Sequence, residues 1–161
     1  MLFALNPVVY VQISAEQVRL KNLKTGATLS VRPEMAVVRQ PKHNVLAVGE
    51  QARAAAASSP AAEVINPFAH PRSLVSDFTS AQLLLQALLR QVMGKSWLTM
   101  GPRVVMHPLG SPEGGFTQVE IRAFHEMALG AGASEAFVWH GRPLTDEEVL
   151  ARKPQDGGEW E

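Results

Sequence analysis

The chain has 161 residues, of which 46% are apolar and 19% are charged, enough for one hydrophobic core. Fifteen basic and fifteen acidic residues give a formal net charge of zero, and without a basic run there is no electrostatic footprint for nucleic acid. The sequence contains no cysteine, which excludes disulfide bonds, thiolate metal sites and a cysteine nucleophile.

The N-terminal stretch "MLFALNPVVYV" is apolar but short, and it lacks the basic segment and the cleavage site of a signal peptide. We interpret Met1–Leu5 as a frayed or packed strand rather than as a tail that contacts a membrane. No apolar run approaches the roughly 20 residues needed to span a bilayer. These features predict a cytoplasmic protein.

The first fifty residues predict a meander of short strands, because segments rich in Val, Leu and Ile alternate with turn residues. The predicted strands are Val8–Ser14, Gln17–Leu23, Thr28–Val31, Met35–Gln40 and Asn44–Val48. An Ala-rich helix over residues 49–58 and a proline-flanked edge strand at Glu63–Asn66 follow.

The rest of the chain predicts alternating helices and strands. Three helices are expected to begin at capping boxes, in which two side chains satisfy each other's unpaired backbone N–H groups. The paired cap residues are Thr79 with Gln82, Thr117 with Glu120, and Thr145 with Glu148. Strands are predicted at residues 103–107 and Glu135–His140. The order of elements predicts an α/β domain with a mixed sheet flanked by helices.

Ionisable residues give no clear chemical site. The histidines show no metal-ligand spacing, so we expect no metal site; they are His43, His70, His107, His125 and His140. His107 and His140 end two predicted strands, where α/β sheets bind ligands, but we favour a structural role for both. Asp77 precedes a helix, where it could coordinate a cation but more often serves the helix N-terminus.

Three stretches, in chain order, carry a family resemblance: "RPEMAVVRQPKHNVLAVGEQAR", "SLVSDFTSAQLLLQALLRQV", and "PRVVMHPLG" followed by "TQVEIRAFHEMALGAGASEAFVW". They resemble, in turn, a Glu-Pro-Ser-Val-Val-Ala-Ile stretch, a Gly-Val-Ile-Ala-Asp-Phe motif, and a Pro-Arg-Val strand before a Thr-Gln-Val-Glu-Arg-Arg-Ala helix. These are motifs of the MreB family of bacterial actins. The resemblance covers most of residues 8–145.

This resemblance implies the first half of an actin-like ATPase: subdomain IA, with its ribonuclease H-like sheet, and the small subdomain IB. We expect one actin-like domain over residues 1–153, an IB-like subdomain within residues 33–72, and a disordered tail at residues 154–161. In the family two such halves clamp a nucleotide between them. Residues 146–161 show nothing similar to the second phosphate loop.

The segment "QISA" stands where the family has its first phosphate turn, Asp-Leu-Gly-Thr. Gln12 takes the place of the Asp and lacks the negative charge that Mg²⁺ favours. Ser14 adds a Cβ at the Gly position, and Ala15 lacks the hydroxyl of the Thr. The family's Glu-Glu-Pro falls at "HGRP", without either carboxylate. We therefore expect no bound cofactor, although Asp77 and Glu120 match their family positions.

Several functions remain open. The leading hypothesis is a non-catalytic MreB-like protein that acts by contact with itself or with a full-length MreB-like protein. The alternative is a residual nucleotide-binding protein, whose dimer completes a cleft for ATP with Mg²⁺. A folded evolutionary remnant with little function is the third.

Overall fold

The computed structural model describes residues 6–69, 77–98, 101–110, 114–152 and 158–161. Its strands are β1 (Val8–Ile13), β2 (Val18–Asn22), β3 (Thr28–Val31), β4 (Met35–Val38), β5 (Asn44–Val48), β6 (Ala62–Ile65), β7 (Arg103–Pro108), β8 (Glu135–Gly141) and β9 (Gly158–Trp160). Its α-helices are α1 (Ala52–Ala57), α2 (Phe78–Met93), α3 (Gln118–Gly130) and α4 (Asp146–Ala151). Short 3₁₀ turns at Gly49–Gln51 and Gly94–Leu98 precede α1 and follow α2.

A six-stranded mixed sheet organises the fold, in the order β3-β2-β1-β7-β8-β9. The three central strands β1, β7 and β8 are parallel, and the outer strands pair antiparallel. Parallel strands end at the same edge of a sheet, so Ile13, Pro108 and Gly141 share one edge, which we call the carboxyl edge. Ligands of open α/β sheets bind at such an edge.

The two faces of the sheet carry separate hydrophobic clusters, because successive side chains of a strand point to opposite sides. On the first face, Val9, Val11 and Ile13 pack with the buried sides of α2 and α3. On the second face, Val8 and Tyr10 belong to a smaller cluster with residues of β7, β8 and α4. The first face therefore holds the main core.

The predicted meander divides into two sheets. Strands β4, β5 and β6 form a separate antiparallel sheet with β4 at its centre, and α1 packs against all three strands. Met35 and Val37 of β4 are fully buried in the cluster of the first face, so the small sheet shares the main core. These elements lie within residues 33–72, and their assignment as an IB-like subdomain stays a prediction.

Capping contacts show where the helices begin. The capping boxes at Thr117 and Thr145 are confirmed, with both reciprocal hydrogen bonds present. The box predicted at Thr79 is wrong, because α2 begins at Phe78 and its N-cap is Asp77. Asp77 occupies the N-cap position because its carboxylate accepts the backbone N–H of Ser80, three residues further on, as an N-cap residue does.

The end of the chain differs from the expected disordered tail. Residues 158–160 form β9, which pairs antiparallel with Trp139–Gly141 of β8. Trp160 lies against Trp139, with the ring centroids 5.2 Å apart, and Val138 exchanges two backbone hydrogen bonds with Glu161. Burial of aromatic surface at Trp160 accounts for this strand. The polar residues around Trp160 in the sequence do not indicate this burial.

Two further predictions have a limited outcome. Met1–Leu5 and His70 lie outside the described residues. Among the residues that the structure does describe, none of the helices is both long enough and apolar enough to cross a bilayer.

Candidate functional site at the carboxyl edge

The turn between β1 and β2 is closed by its own serine. The Ser14 hydroxyl accepts the backbone N–H groups of Glu16 (3.3 Å) and Gln17 (3.1 Å), and it donates to the Gln17 carbonyl (3.2 Å). The backbone N–H of Ser14 donates to the same carbonyl at 2.9 Å. Two amides of this turn, the kind of donor that a phosphate cradle presents, are thus already bonded to a side chain.

The backbone conformation of the turn and the residues next to it are consistent with a turn closed by Ser14. Arg152 is the only non-glycine residue of the described chain with a positive φ, so Ser14 keeps an ordinary conformation. The Ala15 carbonyl accepts from the Asn66 side chain at 2.8 Å, which ties the turn to the segment after β6. Gln12 lies between Arg19 and His107 in the sheet and contributes no negative charge.

The second face contains a buried polar relay that reaches the carboxyl edge. The Tyr10 hydroxyl lies 2.6 Å from Nδ1 of His107, and Nε2 of His107 lies 3.0 Å from the Gly141 carbonyl. The Leu144 backbone N–H donates to the Tyr10 oxygen at 3.2 Å. A carbonyl only accepts, so Nε2 carries a proton; in the neutral imidazole, the form that burial favours, Nδ1 accepts from Tyr10.

Burial reinforces this protonation state. His107 is fully buried and Tyr10 is 6% exposed. Burial lowers the pKa of His107, the bond to Gly141 opposes the shift, and the neighbouring charge of His140 adds to it. Burial also raises the pKa of Tyr10. His107 therefore has every polar atom bonded, as expected of a structural histidine.

Asp77 acts as a helix cap. Its carboxylate accepts the backbone N–H of Ser80 at 3.1 Å and the Ser80 hydroxyl at 2.7 Å. Burial on its own would raise the pKa of Asp77, but these two hydrogen bonds and the charges of Arg39 and His43 lower it below the ordinary value.

Glu120, the second residue that matches a family position, is also a cap. Its Oε2 accepts the Thr117 backbone N–H at 2.8 Å, and its own N–H donates to the Thr117 hydroxyl at 3.1 Å. Both surviving carboxylates thus hold helix N-termini. Over the described ranges there is no group of three or more His, Cys, Asp or Glu side chains that would hold a metal ion.

An open pocket of about 610 Å³ lies between α3 and β8, next to the carboxyl edge. Ile121 and Val138 form its buried apolar part. His140 lines the pocket and meets the Phe116 ring edge-on, with 6.3 Å between centroids. His107 and His140 therefore end two neighbouring strands on opposite faces of the sheet: His107 belongs to the second face and His140 to this pocket.

Comparison with known proteins identifies the family. The MreB/Mbl protein family matches residues 19–144, well over half of the chain. The chain belongs to the MreB/Mbl family. Its relatives include the cell shape-determining protein MreB of Escherichia coli K12, 34% identical over 112 residues, and that of Haemophilus influenzae, 31% identical over 111 residues. Each alignment covers 66% of this chain and 30% of the MreB protein.

A shorter relative and two solved structures extend the comparison. The uncharacterized protein YjaA of E. coli K12 is 32% identical over 97 residues, which cover 55% of this chain and 76% of YjaA. Structures of MreB5 of Spiroplasma citri, bound to ADP and to AMPPNP, superpose with TM-scores of 0.63 and 0.61 at 16% identity. They cover 83% of this chain and 38% of MreB5, and they confirm the actin-like fold.

Sequence reasoning did not find the Tyr10–His107 relay. The apolar strands around Tyr10 and His107 indicated that both residues are buried. No pattern in the sequence links two residues that are 97 positions apart. Only the register of β1 against β7 brings them together.

Proposed function

We propose that this MreB/Mbl family member is a non-catalytic protein of the cytoplasm that acts in cell shape by protein–protein contact. Its partner is a second copy of itself or a full-length MreB-like filament. Two observations support this: the phosphate turn is closed by Ser14, and the exposed side of α3 is self-complementary. The relatives named as cell shape-determining proteins supply the cellular process.

The exposed side of α3 carries apolar residues at its ends and opposite charges between them. Val119 is 79% exposed and Leu129 is 37% exposed, and both belong to the few large apolar residues at the surface. Arg122 and Glu126 lie between them and are exposed. At 100° per residue the four side chains fall within an arc of about 80°. We call these four residues the α3 stripe.

Two copies of the α3 stripe match in an antiparallel arrangement. If a two-fold axis crosses the helix at the level of residue 124, Val119 of one copy lies opposite Leu129 of the other. Arg122 then lies opposite Glu126, twice by symmetry. A two-fold interface requires such self-complementarity, because the same surface serves both subunits. Zero net charge removes the repulsion that would oppose association.

Charge reversal tests this proposal. Arg122→Glu and Glu126→Arg each place like charges across the axis, so each is expected to weaken self-association at least tenfold, about 1.4 kcal/mol. The double variant restores opposite charges and should restore self-association. Analytical ultracentrifugation of the full chain measures the dissociation constant, with the exposed Lys42→Glu as control.

Co-sedimentation with polymers of a full-length MreB tests the second partner. Val119→Glu should abolish it, since it places a charge at an apolar contact. The double charge reversal should rescue self-association but not binding to an unmodified MreB. Monomeric chain at about 100 μM, combined with no co-sedimentation, would overturn the proposal.

Binding of MgATP separates this function from the alternative, a dimer that completes an ATP cleft. The pocket beside His140 is the observation that favours the alternative, since it opens near the carboxyl edge. We expect no binding at millimolar MgATP in equilibrium dialysis, because the amides of the turn are bonded and Gln12 carries no charge. A dissociation constant in the micromolar range would favour the nucleotide-binding dimer instead.

A further inference from the structure

The second face of the sheet is closed by a segment most of which lies beyond the family match. The match ends at residue 144, whereas α4 and β9 lie beyond it. Together with the loop that leads into α4, these elements cover the second face. We call residues 142–152 and 158–161, which follow the last residue of β8, the cover.

The cover buries the apolar residues of the second face. Leu144 and Val149 of the cover are 9% and 1% exposed and belong to one cluster with Tyr10, Val105 and Trp139. Beside this cluster the Arg152 guanidinium lies 4.0 Å from the centre of the Phe137 ring, and Trp160 lies on Trp139.

Charged pairs surround the cluster. Lys21 of β2 donates to Asp146 at 2.8 Å, and Arg142 donates to Glu148 within the cover at 3.0 Å. Trp139 donates its indole N–H to the Arg142 carbonyl at 2.8 Å. The cover is therefore attached to the sheet by apolar burial and by polar contacts at several points.

The relay described above joins the cover to the last residue of β8. The Leu144 N–H donates to Tyr10, and His107 donates to the Gly141 carbonyl. The chain of donors runs from Leu144 through Tyr10 and His107 to Gly141 without a break, and it does so only while His107 is neutral. Gly141 ends β8 and Leu144 precedes the N-cap of α4, so the relay fixes the segment where the cover leaves the sheet.

We propose that the Tyr10–His107 relay is a proton-sensitive latch that holds the cover on the second face. Protonated His107 presents a second N–H to Tyr10. The phenol oxygen must then accept from both Leu144 and His107, and its own proton loses its acceptor. The lost hydrogen bonds and the buried charge destabilise the closed position of the cover. Opening the cover relieves it because His107 then reaches water.

The ionisable groups around the latch do not cancel this effect. His140 on β8 acts on His107 with the same sign of charge. Glu148 and Arg142 on the cover act on Tyr10 with opposite signs and are bonded to each other. Lys21 on β2 is paired with Asp146. No carboxylate is hydrogen-bonded to His107, whose described partners are Tyr10 and the Gly141 carbonyl.

The sign of the pH dependence follows from linkage. The pKa of His107 is lowered in the closed state, and the ordinary value is 6.5. The open state therefore takes up a proton first as the pH falls below 6.5. Between pH 7.5 and 5.5 the opening constant is expected to rise about tenfold.

Amide hydrogen exchange on the full chain measures this opening residue by residue. The Leu144 and Glu161 amides, which bond to Tyr10 and Val138, should lose about tenfold in protection factor between pH 7.5 and 5.5. Amides in the middle of α2 should keep theirs. Unchanged protection at Leu144, or an equal loss in α2, would overturn the proposal.

Variants identify the responsible group. His107→Gln should remove the pH dependence at Leu144, whereas His125→Gln on α3 should leave it intact. Should His107→Gln fail to fold, Tyr10→Phe keeps the ring and removes only the hydroxyl. It should raise exchange at Leu144 about tenfold at pH 7.5 without affecting α2. An exchange rate at the Leu144 amide that is the same in Tyr10→Phe as in the wild type would refute the latch.

Discussion

Replacing Asp77 by alanine tests whether this carboxylate caps a helix or holds a cation. Asp77 accepts from the N–H and the hydroxyl of Ser80, which is 2% exposed. Alanine leaves both donors buried without this acceptor. An N-cap is worth about 0.5–2 kcal/mol and a buried unsatisfied donor about 1–3 kcal/mol, so we expect a loss of about 2 kcal/mol. For a domain of this size that lowers Tm by about 4–8 °C.

Matched variants make the Asp77 experiment decisive. Asparagine and serine cap helices about as well as aspartate, so Asp77→Asn and Asp77→Ser should recover most of the lost Tm. The lowered pKa of Asp77 predicts that its contribution is present above pH 3.8 and is lost as the pH falls through the folded-state pKa. Thermal unfolding with and without millimolar Mg²⁺ is the assay. The capping interpretation fails if Asp77→Asn loses as much Tm as Asp77→Ala, or if Mg²⁺ raises Tm only in the wild type.

Three further substitutions follow from contacts elsewhere. Glu120→Ala should cost about 1 kcal/mol and, in a double-mutant cycle, should couple to Thr117→Ala; independent effects in thermal unfolding would contradict the capping box. Gly132→Ala should cost about 2–3 kcal/mol, because φ is +116° and the new Cβ would lie 2.5 Å from the Trp97 ring; near-neutral denaturant unfolding would exclude that contact. Asn66→Ala should increase proteolysis between β1 and β2, with Lys42→Ala as a control; equal cleavage rates would show that this tie to the turn is unimportant.

The local pattern of the sequence was sufficient for most elements. The bounds of β3 and β5 agree with the prediction, and two of the three predicted capping boxes are present. The third failed because Asp77 and Thr79 compete for the same helix start, and the carboxylate reaches the free amide. Sequence spacing does not decide between two such caps, since both satisfy the same backbone groups.

For the candidate site, the residues of the turn between β1 and β2 could be read from the sequence, but its geometry could not. Compared with the family motif, Gln12, Ser14 and Ala15 replace its acidic, glycine and threonine residues. That the Ser14 hydroxyl accepts from the Glu16 and Gln17 amides depends on the torsion angles of the turn. The division of the meander into two sheets depended likewise on the burial of Met35 and Val37 in the main core.

By itself, the sequence determined the α/β class, the family and the residues of the turn after β1, because these depend on residue type and order along the chain. The tertiary structure alone decided that Asp77 rather than Thr79 is the N-cap of α2, that β9 returns to β8, and that Tyr10 meets His107. The reason is physical: hydrogen bonds and burial join groups that are close in space, and strand register sets that distance for residues far apart in the chain.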